Sequence, residues 1–468
     1  MLYQLSYAPI SGSPDALARA TASIRTGGSG TFDRTAIVGG GMLGLTLALR
    51  LAQRGRAVTV FEAAPALGGL ASVWQIGDVT WDRHYHVTLF SDTALRGVLR
   101  DIDLEHEIVW KQVQTGFFTD GRLHPMNGLI DFFRFEALGL IDKLRLGLTI
   151  LHASRIGDPT PLERETVEAW LTRLSGRNTF EKIWRPLLLA KLGERYHEAS
   201  AAFIWAIVVR LYAARRAGLG SERFGYVPGG YARILATLRA RLESLGVEIR
   251  TGANVVRAGR ARSGAGVTLS LADGEETYAA AFVTVPAPRA VEIVPTLRAD
   301  ERRRLTNKRY QGIVCASALL DRPLGPYYVT NLTDPAPFSA VIEMSALVDR
   351  SEFGGAALVY LPKYVAPDDP LFERSDADIE AEFVSALERM YPEFRREQVR
   401  AFRISRVRHV FPIATLGYSA DLPSIGTSVP GLYVVNSTQI VNGTLNVNET
   451  VQLAERALAH VPGQAVAE

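Results

Sequence analysis

Cysteine is nearly absent from this 468-residue chain, where Cys315 stands alone. A lone thiol excludes an intramolecular disulfide and any cysteine-based zinc or iron–sulfur centre. Within the apolar run Ile313 to Leu320 it reads as a small buried residue. Net charge is low as well: 52 Lys and Arg face 49 Asp and Glu, a surplus of +3. The basic residues are dispersed, so the footprint of a nucleic-acid binder is missing. Long hydrophobic runs are missing too, since the longest, Ala199 to Val209, is too short to span a bilayer and ends at Arg210. The start of the chain lacks the basic residues and apolar core of an export signal. Residues 1–33 are rich in Ala, Ser and Gly and read as a flexible leader outside the fold. These absences point to a cytoplasmic protein, attached at most to the periphery of a membrane. No metal is expected, because His84 and His86 cannot complete a shell and no H-E-x-x-H pattern exists.

What is present is a dinucleotide signature between Thr35 and Ser72. A short apolar strand (Ala36, Ile37, Val38) enters Gly39, Gly41 and Gly44, in the spacing G-x-G-x-x-G. The first glycine permits a tight turn, the second lets the backbone approach a pyrophosphate, and the third lets helix and strand pack closely. Leu43 to Arg54 reads as an amphipathic helix whose free N–H groups and positive dipole end suit phosphate, with Met42 and Leu43 at the cofactor. Gly55 stops that helix, Val58 to Phe61 forms a second strand, and Glu62 with Ala63 falls where an acidic residue holds a ribose hydroxyl.

The length exceeds what one hydrophobic core usually serves, so two domains are expected. A second Rossmann half does not follow Glu62. The sequence turns instead to Gly68-Gly69, then Trp81-Asp82-Arg83-His84-Tyr85-His86. The nucleotide domain is therefore expected to be discontinuous, from 34–110, 222–300 and 401–468, with a second domain from 111–221 and 301–400. Asp120-Gly121 and Asp273-Gly274 mark hairpin turns. Helical patterns cover Ile141 to Leu151, Thr166 to Ser175, Phe203 to Arg216, Ala377 to Met390 and Val447 to Leu458.

The combination of Gly39, Gly41, Gly44, Glu62 and Gly68-Gly69 resembles the flavoprotein superfamily of protoporphyrinogen oxidase, amine oxidases, phytoene desaturase and UDP-galactopyranose mutase. The resemblance implies FAD as cofactor. It implies an α/β fold, a Rossmann-like FAD-binding domain of the glutathione-reductase type with an inserted α+β substrate domain. It further implies an adenine contact near Val255 and a last flavin contact at Asn436. Asn446, Val447 and Asn448 would open the helix beneath the isoalloxazine. Two departures stand out: Leu70 follows the glycine pair where the family often has Arg, and the last strand ends in Asn436-Ser437 where Gly-Asp is usual.

Flavin enzymes need little acid–base machinery of their own. Strand alternation after Asp82 places His84 and His86 on one face, His84 as a cofactor contact and His86 as a ring-facing donor or base. Lys191, in an apolar stretch with Arg185 and Arg195, is a candidate charge in the substrate pocket. Tyr226, before Val227-Pro228-Gly229-Gly230, either packs on the flavin edge or supports the turn. The amphipathic stretches Ile130 to Leu151 and Phe203 to Arg216 are expected to form the core of the second domain. Exposed, they would suit an isoprenoid or lipid drawn from a bilayer.

Two activities follow. One is an FAD-dependent oxidase or desaturase taking hydride from a largely apolar small molecule. The other is a redox-neutral sugar-nucleotide isomerase, in which Arg83, Arg185, Arg210, Arg215 and Arg216 clamp a diphosphate.

Overall fold

The computed structural model describes residues 34–217, 223–441 and 445–460, so the expected leader lies outside the described residues. Strand β1 (Arg34–Val38), helix α1 (Met42–Gln53) and strand β2 (Ala57–Glu62) form the first βαβ unit. β1 and β2 join a five-stranded parallel sheet in the order Glu248–Thr251, β2, β1, Ala280–Val283, Leu432–Val434. The register aligns Val38 with Phe61 and Val283, and Val283 with Val434. One carboxyl edge therefore carries Gly39, Glu62, Thr284 and Val435, where ligands of open α/β sheets bind. α1 is buried on nearly all sides because Val447–Ala457 packs along it while its other face covers the sheet. A three-stranded antiparallel meander (Arg257–Arg260, Val267–Leu271, Gly274–Tyr278) covers the opposite face.

A second, seven-stranded sheet runs in the order Val399–Pro412, Tyr310–Leu320, Ala357–Val365, Ala340–Glu343, Tyr327–Leu332, Gln114–Thr119, Arg122–Pro125. Every pair is antiparallel except Tyr327–Leu332 with Gln114–Thr119. Alternation along Tyr310–Leu320 splits its side chains. Val314, Ala316 and Ala318 pack with Asp376–Met390 through Ile379, Phe383 and Leu387. Ile313, Cys315 and Leu319 face the other way, toward the hairpin Val73–Ile76 and Val79–Asp82, which also feeds the glycine-rich edge. Cys315 is fully buried, and burial pushes its thiol up, so it stays protonated.

Both hairpins form: Asp120 and Gly121 take φ 52° and 71° as the two-residue turn of one, while the other turns on Ala272-Asp273, one residue earlier than expected, because Leu271 pairs with Gly274. The strand Val399–Pro412 lies in the large sheet, although the sequence pattern assigns 401–468 to the nucleotide domain. Its apolar residues are read equally well by either sheet, and only the pairing with Tyr310–Leu320 decides. The stretch Ile130 to Leu151 also departs from expectation. Leu146 and Phe135 enter a core with Trp170, Phe180 and Phe411, but Leu140, Ile141, Leu144 and Leu148 face outward. Among the described residues no helix is long and apolar enough to cross a membrane.

Candidate functional site

The site starts from the turn between β1 and α1. Gly39 has φ 117° and donates its N–H to the Phe61 carbonyl at 2.8 Å. A Cβ on Gly44 would overlap the Gly39 carbonyl oxygen, so only glycine lets α1 approach β1 this closely. Gly41 differs, because a Cβ there would meet nothing nearer than the Gly69 Cα at 3.9 Å and the Gly68 carbonyl at 4.0 Å. The second glycine pair lies directly against the first: Gly68 donates to the Gly40 carbonyl at 2.8 Å, and Gly41 bridges Gly68 in parallel. α1 begins at Met42 and Leu43 with no side-chain cap and no acidic residue in its first turn. Its leading N–H groups thus face the glycine cradle, the arrangement an anionic diphosphate needs.

Glu62 accepts from Gly40 N at 2.7 Å and from Ala64 N at 2.8 Å, which holds the carboxylate across the exposed Ala63. Ala253 N donates to the Glu62 carbonyl and Gly252 N to Ala64, which brings the chain preceding Val255 alongside. Farther along the same edge, Asn436 is buried. Its Oδ1 accepts from Thr438 N at 3.1 Å, while its Nδ2 has no partner among the described residues. A buried amide donor left unpaired costs free energy unless something else accepts from it. An elongated dinucleotide fits these residues: a cradle without Cβ atoms for the diphosphate, a carboxylate at one end and an unspent donor at the other. Thr284 was not legible as part of this edge. Its Oγ1 donates to the Val38 and Gly39 carbonyls at 3.0 and 3.2 Å and so supports the first turn.

The remaining candidates separate. Asn446 caps Val447–Ala457 by accepting from Glu449 N at 3.0 Å. Asn448 is buried, and its Oδ1 accepts from Ala94 N at 3.0 Å and Leu95 N at 3.1 Å, so this side chain is spent on the start of Thr93–Asp101. His84 donates from Nδ1 to the Leu70 carbonyl at 3.0 Å and accepts at Nε2 from Ser405 Oγ at 3.1 Å. Burial pushes it down to about 4, which keeps the ring neutral. Both of its nitrogens are thus committed to the protein, and its role in this fold is to tie the Leu70 turn to the large sheet. Tyr226 is buried and its hydroxyl accepts from Asp349 N at 3.3 Å.

His86 stays available. It is partly buried, its Nδ1 lies 3.8 Å from Asp82 Oδ2 with no hydrogen bond, and its ring lies 4.7 Å from that of Tyr231. Asp82 is held in place by Tyr231 N, which donates to its Oδ1 at 2.8 Å. Lys191 reaches the same chain segment by another route. Its Nζ sits 3.7 Å from the centre of the Tyr364 ring and 5.0 Å from that of Phe411, with no carboxylate partner among the described residues. The Tyr364 hydroxyl then meets that of Tyr85 at 2.8 Å, between His84 and His86 in sequence. Cross-strand from Phe411 lies Gln311, 1% exposed, whose Oε1 has no partner. Sequence reading passed over Gln311, and the only signal was a polar residue at the start of an apolar strand.

Among the described side chains, Arg83, Arg185 and Arg210 each have separate partners. Arg210 pairs with Asp92 at 3.2 Å, Arg185 with Glu181 at 3.2 Å, and Arg83 stacks on Trp74 with its Cζ 5.3 Å from the ring centre. The side chains of Arg215 and Arg216 lie outside the described ones.

Comparison with known proteins agrees with this geometry. The profile of the family described as flavin containing amine oxidoreductase matches residues 43–447. A carotenoid phi-ring synthase of Streptomyces griseus is 27% identical over 449 residues, covering 87% of this chain and 83% of that protein. Among solved structures, a candidate protoporphyrinogen oxidase of Exiguobacterium sp. 255-15 superposes with a TM-score of 0.73 at 19% identity, covering 91% of this chain and 98% of the other. A reduced UDP-galactopyranose mutase superposes with a TM-score of 0.69 at 16% identity, covering 91% and 93%. At such identities the structural likeness speaks for the fold alone. The family match spans most of the chain: the protein belongs to the flavin containing amine oxidoreductase family and is an FAD-dependent oxidoreductase.

Proposed function

We propose that the protein removes hydride from a largely apolar, isoprenoid-like small molecule. The observation that carries this reading is the setting of Lys191, whose ammonium lies on two aromatic rings, one of them cross-strand from Gln311, with no carboxylate partner among the described residues. Such surroundings suit an apolar skeleton, and among the described arginines that a sugar nucleotide would need, Arg185 is paired with Glu181 and Arg210 with Asp92. The likeness to a carotenoid synthase supports the same substrate class. Bound FAD supplies the two-electron acceptor that takes the hydride. Gly39, Gly41, Gly44, Met42 and Leu43 hold its diphosphate, Glu62 its ribose, and Val255 and Asn436 contact its two ends.

When hydride leaves one carbon, the neighbouring carbon must release a proton before a double bond forms. In this reading His86 takes it, and the Asp82 carboxylate 3.8 Å from its Nδ1 supports that role. Lys191 and the hydroxyl pair Tyr364–Tyr85 orient the substrate from the other side. A substrate of this kind partitions into bilayers, so the reading includes a cytoplasmic protein working at a membrane surface.

The test is anaerobic mixing of the FAD-loaded protein with an acyclic carotenoid, following loss of the oxidised flavin absorbance and appearance of a desaturated product. Bleaching by the carotenoid is the expected result. Failure to bleach with any isoprenoid, together with conversion of a sugar nucleotide by pre-reduced enzyme without net electron flow, would establish the isomerase instead.

A further inference from the structure

The helices Leu129–Arg134 and Leu140–Ala153 expose Ile130, Phe133, Leu140, Ile141, Leu144 and Leu148, each at least half accessible. Such a cluster is unusual on a protein surface and marks a contact. We propose that this face docks the protein on a membrane surface rich in anionic lipid. The proposal rests on the proposed function only for why an apolar substrate makes such contact useful.

Spacing comes first. Leu140, Ile141, Leu144 and Leu148 occupy one sector of the helix, opposite the buried Lys143, Leu146, Thr149 and Ala153. The inward face is already packed, so the outward stripe has no partner within the described fold. Lys143 Nζ donates to the Phe133 carbonyl at 2.6 Å, which locks the two helices together as one platform. At 14 residues the longer helix extends about 21 Å. That length is too short to cross a bilayer and suits lying in its interface.

Charge decides the occupant. The outward arc of Leu140–Ala153 carries Arg145 and His152, with Arg155 just beyond, and no acidic side chain. Asp142 is turned aside to accept from Asn178 Nδ2 at 2.6 Å. Arg134 adds a further exposed cation on the first helix. A second copy of the chain would meet the arc of Leu140–Ala153 with the same basic rim, Glu136 of the connection between the helices being an exposed acid near it, whereas phosphates of an anionic bilayer complement that rim. Beside the stripe lies an open hollow of about 310 Å³ lined by Leu148, Leu151, His152, Arg155 and Leu174, an apolar floor with a basic lip. Behind the helix, Leu146 belongs to the same core as Phe411, the ring under Lys191.

The experiment is flotation of the full-length FAD-loaded protein with vesicles of phosphatidylcholine alone or mixed with phosphatidylglycerol. No turnover is measured, so failure of the redox reading leaves the result intact. Wild type is expected to float with the anionic vesicles and to release in high salt. The double variant Ile141→Glu with Leu144→Glu is expected to lose binding about tenfold or more. Its flavin spectrum and melting temperature should be unchanged, since both positions are exposed. Arg134→Glu with Arg155→Glu should weaken binding to the anionic vesicles alone. The proposal is overturned if wild type stays with the unbound fraction on anionic vesicles, or if the Ile141→Glu, Leu144→Glu variant floats like wild type. It is equally overturned if vesicles are ignored and that variant converts a dimer to a monomer, because the face would then cover a second copy.

Discussion

Gly41 separates cofactor binding from folding. It is the residue before α1 and has φ −75° and ψ 174°, a conformation that any amino acid adopts. A methyl group there meets no protein atom closer than 3.9 Å, so Gly41→Ala is sterically silent in the protein alone. Loss of a tolerated helix cap and gain from a stiffer unfolded chain nearly offset each other, and the apoprotein should change by less than about 1 kcal/mol. The same methyl stands between the two glycine turns, where the diphosphate must come against the backbone. Pushing the phosphate away weakens one or two charge-assisted hydrogen bonds. The expected loss is about 3 kcal/mol, on the order of a hundredfold in Kd. The assay is titration of apoprotein with FAD by flavin fluorescence, with calorimetric melting of the apoprotein as the stability control. Gly97→Ala is the matching control, since its Cβ meets nothing within 4 Å on the helix Thr93–Asp101. That variant should gain about 0.5–1 kcal/mol and bind FAD normally. Wild-type affinity in Gly41→Ala would refute the assignment of the cradle.

Lys191→Met keeps the length of the side chain and removes the charge over Tyr364. It should slow substrate-driven flavin reduction about tenfold or more while the melting temperature barely moves, measured by stopped-flow absorbance. Asn448→Ala orphans the N–H groups of Ala94 and Leu95 and should cost about 1–2 kcal/mol in urea unfolding. Two buried groups shape the pH dependence in opposite senses. His84, pushed down to about 4 by burial, stays neutral in the native state while the unfolded chain protonates it below 6.5, so its contribution is lost as pH falls through that window. Glu343, pushed up to about 7 by burial, stays protonated while the unfolded chain ionises it above 4.5, so its contribution is lost as pH rises. Glu343→Gln should therefore make stability fall more steeply on acidification, by about 1.4 kcal/mol per pH unit. Urea titrations at several pH values between those limits measure it, and parallel slopes for the two proteins would contradict it.

Much of the nucleotide site was legible because its chemistry is local. Gly39, Gly41, Gly44 and Glu62 lie within one βαβ unit, and the turn, the helix start and the acidic residue follow from spacing along the chain. Gly68-Gly69 was legible as a second glycine pair, and the structure adds that it lies on the first. Two histidines of similar sequence setting proved different. His84 meets Leu70 and a serine more than three hundred positions away, and nothing near it in sequence announces Ser405. The aromatic bed of Lys191 is equally distant, since Tyr364 and Phe411 come from two strands of the large sheet.

The outward stripe of Leu140–Ala153 shows the same division from the other side. Periodicity identified an amphipathic helix, yet apolar residues recur on both its faces, and burial of Leu146 with exposure of Leu144 is settled by which face the core of Trp170 and Phe180 reaches first. The sequence by itself determined the elements with short-range causes: the dinucleotide turn, the hairpin at Asp120-Gly121, the neighbourhood of the hairpin that turns on Ala272-Asp273, and the helix periods. Tertiary structure alone decided which strands share a sheet, which polar groups spend their hydrogen bonds inside the protein and which remain unpaired. The physical reason is that a hydrogen bond or a packed ring depends on where distant segments meet, and side-chain identity along the chain leaves that meeting open.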